Sequence, residues 1–172
     1  MLIKENLALP RARCRIHVER AYDFDEKTGL WKYRVVDEDE ERLNEITDAG
    51  RIRLHTFCYG TGARSNGLNY IGLTNDAVAP APGDTVLTAE LTGNGLERAQ
   101  GTVTLPGGSG NQTNISHLFI FTGPGSQTVQ KTALFDAAGP PPAGVMAHEI
   151  AFTPRTLFTN DTLTVQFSIT LG

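Results

Sequence analysis

The sequence predicts a mainly β protein: an N-terminal β-hairpin plus one short helix, followed by an antiparallel β-sandwich, jelly-roll-like or barrel-like. Three observations carry this. The stretch DTLTVQFSITL (161–171) sets Leu163, Val165, Phe167, Ile169 and Leu171 against Thr162, Thr164, Gln166, Ser168 and Thr170, the period-2 pattern of a half-buried strand. Several further short apolar stretches follow residue 61 at fairly regular spacing, separated by turn-forming clusters, as in sandwiches and barrels. The composition also changes near GTGARSNG (60–67): residues 1–60 hold 11 of the 15 Lys/Arg and 12 of the 19 Asp/Glu, whereas residues 61–172 hold 15 of the 18 glycines. The chain thus reads as an extended arm (1–10), a hairpin-helix subdomain (11–60) and a β-sandwich domain (61–172).

Element by element, Ala12, Cys14, Ile16 and Val18 alternate with Arg13, Arg15, His17 and Glu19, which makes a strand with one apolar face. DFDEKTG (23–29) turns on Gly29, and LWKYRVV (30–36) returns to complete the hairpin. DEDEE (37–41) reads as a solvated acidic run. Asp48 is placed to cap a helix that runs to about Tyr59 and stops at Gly60. NYIGLT (69–74) is a strand, NDAVAPAPGDT (75–85) a Pro/Gly loop, and VLTAEL a strand or a turn of helix. RAQGTVTL (98–105), TNISHLFIF (113–121), QTVQKTALF (127–135), GVMAHEIAF (144–152) and the C-terminal stretch complete the strands.

Function classes narrow quickly. A net charge of −4 with no basic cluster argues against nucleic-acid binding. The N-terminus MLIKENLALP lacks the apolar core of a signal peptide, and no run is long enough for a membrane span. The expectation is a protein made in a reducing cytoplasm, where the sequons at Asn111, Asn114 and Asn160 carry no meaning. Cys14 and His17, and then His55 and Cys58, are each three apart and spell a possible metal site. Residues an odd number apart on a strand face opposite sides, so Cys14 and His17 cannot share an ion. Two core cysteines fit better, and the short helix then clamps the hairpin to the rest.

Other constellations weaken in the same way. Asp23 and Asp25 open like a calcium loop, but Lys27 occupies the next ligand position. Ser116–His117 and His148–Glu149 are adjacent on strands and face apart. A carboxylate pair would have to come from Asp76, Asp84, Glu90, Glu97, Asp136, Glu149 or Asp161, and turn chemistry with solvation accounts for them. Tyr22, Trp31, Tyr33 and Tyr59 could stack on sugars, yet aromatics so placed more often fill the seam between a hairpin and a helix. No catalytic, metal or cofactor residue is expected.

Thr47-Asp48-Ala49-Gly50, Tyr70–Leu73, Pro82-Gly83-Asp84-Thr85 and Asp161–Thr170 stand in an order that resembles a group of tailed-phage virion proteins. Members carry a Thr-Asn/Asp-Ala-Gly helix start, an I-G/A-L strand, a P-A-x-G-D-T-x-L-x-x-E loop and a D-x-L-T-V-x-W/F-x-I-T strand. The resemblance covers most of the chain from about residue 12. It implies a non-enzymatic structural protein of the virion, made in the host bacterial cytoplasm. A capsid-surface decoration (cement) protein is the first expectation, with a tail or neck fibre component as the alternative and a lectin-like carbohydrate-binding module as a third reading. The expected partners are the major capsid protein or tail and neck proteins, and further copies of the chain in a homo-oligomer, with a trimer as the candidate state; neither nucleic acid nor membrane is expected.

Overall fold

The computed structural model describes residues 11–25, 28–43, 45–47, 50, 67–104, 112–139 and 143–170. Among them are ten strands: β1 (Arg11–Asp25), β2 (Leu30–Leu43), β3 (Glu45–Ile46), β4 (Tyr70–Thr74), β5 (Ala99–Gln100), β6 (Thr102–Thr104), β7 (Gln112–Ile120), β8 (Ser126–Phe135), β9 (Met146–Phe158) and β10 (Thr162–Thr170). They form two five-stranded antiparallel sheets, sheet A in the order β2-β1-β10-β7-β6 and sheet B in the order β3-β9-β8-β4-β5. The pairings nest along the chain: β1 with β10, β3 with β9, β4 with β8, β6 with β7. The sheets do not close on each other, because each ends in its own edge strands. The barrel-like alternative is therefore corrected, since a barrel has no edges.

One apolar core lies between the sheets. Ile16, Val18, Ile115, Phe119, Leu163, Val165 and Phe167 come from sheet A, and Ile71, Leu73, Val129, Leu134, Ile150, Phe152 and Leu157 from sheet B. Burying such side chains is worth about 1.5–3 kcal/mol each before entropy is counted. The strictly alternating β10 is the central strand of sheet A, flanked by β1 and β7, with Leu163, Val165 and Phe167 wholly buried. A strand paired on both sides needs its polar residues only on the remaining free face, which its threonines supply.

Several sequence expectations change. The acidic run 37–41, read as a solvated stretch after the hairpin, belongs to its second strand, since β2 continues to Leu43 and pairs with β1 as far as Arg13. RAQGTVTL is not one strand. It splits at Gly101, so that β5 joins β4 in sheet B while β6 joins β7 in sheet A. VLTAEL is neither strand nor helix but a turn segment, tied by an isolated bridge between Thr74 and Glu90. The arm 1–10 and the helix from Asp48 to Tyr59 lie outside the described residues. What is described there is the cap: the Gly50 amide donates to Thr47 Oγ1 at 3.0 Å, three residues back, the bond of a helix N-cap. Asp48, the expected cap, lies outside the described residues; the oxygen here is that of Thr47. Its hydroxyl also donates to the Met146 carbonyl at 2.7 Å, and a Cβ on Gly50 would fall 2.3 Å from the Ala147 carbonyl oxygen. The Thr-x-x-Gly start is thus shaped to lie directly against β9.

Candidate functional site

Among the described residues, exposed large apolar side chains gather at the end of the β1–β2 hairpin. β1 pairs with β10 only from Arg11 to Glu19, whereas it stays paired with β2 as far as Asp25–Leu30. Residues 20–25 and 30–35 therefore run on as a two-stranded ribbon. Its turn is closed by the Gly29 amide on the Asp25 carbonyl at 2.8 Å, with Gly29 at φ +70°. The register shifts between Val18/Glu19 and Ala21/Asp23, as bulges do, bend the ribbon locally and increase its twist.

Register decides what each ribbon face carries. Val18 is in the core, so Glu19 and Ala21 point to the outer side of sheet A, and their partners Val35 and Tyr33 point with them. Trp31 lies two further along β2 and pairs with Phe24, ring centroids 5.2 Å apart. The outer face of the ribbon is thus Val35, Tyr33, Trp31 and Phe24, exposed by 53, 38, 43 and 46%. The opposite face mixes charged pairs with exposed apolar groups: Lys32 Nζ binds Asp23 at 2.8 Å, the Arg34 guanidinium lies 5.9 Å from the Tyr22 ring, and Leu30 stands in line with Lys32. That ion pair holds the Asp23 carboxyl below its ordinary range and the Lys32 ammonium above its own, chiefly through the hydrogen bond. Arg20 anchors the ribbon's base. It reaches the buried Asp161 at 3.4 Å and lies over the Phe158 ring at 4.8 Å, while Asp161 Oδ2 also accepts from the Phe158 amide at 2.9 Å. The expectation that Tyr22, Trp31 and Tyr33 fill a seam is corrected, because all three stand in solvent; Tyr59 lies outside the described residues.

The outer face of sheet B is built in the opposite way. The 75–98 segment folds over it and buries its charges in pairs. Leu87 packs with Ala133, Phe135 and Met146. Arg98 grips Glu90 through two bonds, Nε–Oε1 at 2.7 Å and Nη2–Oε2 at 2.6 Å, and both side chains are almost wholly buried. Its remaining nitrogen donates to the Ala143 carbonyl at 2.5 Å, and the guanidinium lies 3.4 Å from the Phe135 ring centroid. Such a fork satisfies most of the arginine's donors. Gly72 makes the room: a Cβ there would come within 2.8 Å of Glu90 Oε1. A pocket of ≈ 230 Å³ opens beside this pair. Its two buried charges are spent on each other, which leaves Thr92 and Glu97 as the other polar side chains among its described lining residues.

Beside it, Lys131 Nζ binds Asp76 Oδ2 at 2.7 Å and Glu149 Oε1 at 3.1 Å. Burial, and then the neighbouring Asp84 carboxyl, push the Glu149 carboxyl up to about 7 against the pull of Lys131. Glu149 Oε2 has no hydrogen-bond partner, and protonation converts it from an orphaned acceptor into a donor. Asp84 itself accepts from the Ala81 amide at 2.8 Å and so shapes the loop. His148, next in sequence, faces Leu134 on the core side, where burial pushes its imidazole down to about 4.

The candidate carboxylates therefore divide. Asp84 and Asp136 do form turns, Asp136 by accepting from the Val145 amide at 2.7 Å. Glu90, Glu149 and Asp161 are buried and paired with cations, which corrects the expectation of solvated groups. The signal that could have found them was the scarcity of charge itself: four Lys/Arg stand after residue 60, and Arg98 and Lys131 are nearly inaccessible. Ser116 and His117 do face apart; His117 Nδ1 sits 3.0 Å from the Gln100 carbonyl, edge-on to Phe119 on the core side. Cys14 stands opposite Phe167 in register and His17 opposite Thr164, and His17 pairs with Glu19 at 3.3 Å. His55 and Cys58 lie outside the described residues, and among the described residues no three His, Cys, Asp or Glu converge as a metal site. No helix among them is long and apolar enough to cross a membrane. Set against known protein families, curated proteins and solved structures, the chain matches none.

Proposed function

We propose that this chain is a non-enzymatic structural component of a tailed-phage virion, a capsid-surface decoration protein that binds the shell through the hairpin face. The observation that carries the reading is the Phe24–Trp31–Tyr33–Val35 stripe, apolar, ordered in register and exposed on a ribbon that leaves the body of the protein. Aromatic side chains have few rotatable bonds and bind protein surfaces at low entropic cost. A second support is that the strand and loop motifs of the resemblance, from Tyr70 to Glu90, serve one structural purpose. Gly72, Asp84, Leu87 and Glu90 all serve the cover over sheet B, a scaffold role rather than a chemical one. The nested pairing of first strand with last suits a sandwich-like, jelly-roll-like shell protein. Modest contacts repeated over a lattice sum by multivalency, and strand addition by residues 1–10 to a partner sheet is a further route.

The test is immunogold electron microscopy of virions with antibody against the purified chain. Label spread over the whole shell supports decoration. Label at one vertex or along the tail favours the fibre or neck reading, and virions without label sink both. The exposed Phe24–Trp31 pair also favours a carbohydrate-binding reading, since sugars stack on such rings. A glycan array hit that disappears in Trp31→Ala decides for it.

A further inference from the structure

We infer that β2 is the contact by which two copies of this chain pair about a two-fold axis, antiparallel and edge to edge. β2 is the edge strand of sheet A, and among the described residues nothing pairs with its outer side over its 14 residues. A long edge strand is a template for another strand; charges along it discourage indiscriminate pairing and leave it open to a strand of complementary charge. The ribbon half of this one has no third strand to support it, and two strands alone are marginal in water.

The occupant follows from the charges along the strand. The first half carries Lys32 and Arg34, and the second carries Asp37, Glu38, Asp39, Glu40 and Glu41. An antiparallel approach centred on Val35–Val36 brings the cations of each copy to the acidic run of the other, twice over by symmetry. A parallel approach sets five acids against five acids and is self-repelling. Isologous pairing is the form that two-fold symmetry requires. The product is a sheet continuous through β1-β2 of one copy and β2-β1 of the next, with the Trp31–Tyr33–Val35 stripes of both copies on one face. The inference rests on the strand edge and its charge pattern, not on the virion reading; shell binding can fail while self-association holds, and the reverse.

The experiment follows the mass of the full chain by light scattering across a nanomolar-to-micromolar series, with the emission of Trp31, the single tryptophan, recorded alongside. Two variants join it: Lys32→Glu with Arg34→Glu, and Asp37→Lys with Asp39→Lys. The expected result is a rise from 18.6 kDa to twice that mass, with a blue shift of Trp31 and weaker association at high salt. Each variant alone associates about a hundredfold more weakly, because like charges then meet. An equimolar mixture of the two restores the dimer, since each reversed pair finds its complement. A monomer at every concentration, a trimer, or a mixture that fails to pair overturns the inference. Circular dichroism checks the variants' fold. If either is unfolded, the wild-type chain still decides, because a dimer without a Trp31 shift and indifferent to salt also overturns it.

Discussion

The outer faces of the two sheets meet the same problem and solve it oppositely. On sheet B the chain covers itself: Leu87 closes over Ala133 and Phe135, and the charges it buries are matched, Glu90 with Arg98 and Asp76 and Glu149 with Lys131. On the sheet A ribbon nothing described covers Trp31, Tyr33 and Val35, and the polar pairs Lys32–Asp23 and Arg34–Tyr22 sit on the other face. A face covered in cis contributes to stability. A bare apolar face of this kind contributes little to the isolated chain and is free to serve recognition.

The sharpest way to break this contrast is Arg98→Met. It strands Glu90 under the loop without its guanidinium, at a cost of about 3–5 kcal/mol in urea unfolding. A loss below about 1 kcal/mol would show that water reaches the pair and that the cover is loose. The next effect is in pH. Glu149, held near 7 above its ordinary 4.5, contributes stability that is full below 4.5 and fades as the pH rises through 7. His148, held at about 4 below its ordinary 6.5, contributes stability that is full above 6.5 and is lost as the pH falls through about 4. Between 4.5 and 6.5 the two slopes oppose each other. His148→Gln should therefore leave stability falling as pH rises, and Glu149→Gln should leave it rising, each by up to about 1.4 kcal/mol per pH unit. Equal slopes in both variants would remove Glu149 from the buried network.

Thr47→Val should cost about 1 kcal/mol, read as a lower unfolding midpoint, because it deletes the cap on Gly50 and the bond to Met146. The smallest effect belongs to the bare face. Trp31→Ser, which loses the contact with Phe24, should change stability by less than about 1 kcal/mol, while the shell binding proposed above would be lost. A large stability loss would mean that the ribbon is part of the core after all.

Much of the fold was legible because strand parity is local. The alternation of β10 named Leu163, Val165 and Phe167 as core, and Ile16 and Val18 followed from the same rule. The acidic run was not, because five adjacent charges say "solvated" whether the backbone is loop or edge strand, and β1 chose strand. The buried pairs were not, because Lys131 meets Asp76 across 55 residues, and no local pattern encodes a partner so far away. The exposure of Trp31 was misjudged because an aromatic in a strand has the same sequence signature covered or bare.

What the sequence by itself determined is the β character, the strand faces and the turns, since period 2 and turn chemistry are properties of a few neighbouring residues. Which sheet each strand joins was decided only by the tertiary structure. So was the split at Gly101, the burial of Glu90 and Glu149 under their own loop, and the hairpin's projection beyond β10. Those outcomes depend on which distant surfaces bury each other best, and that is a property of the whole chain.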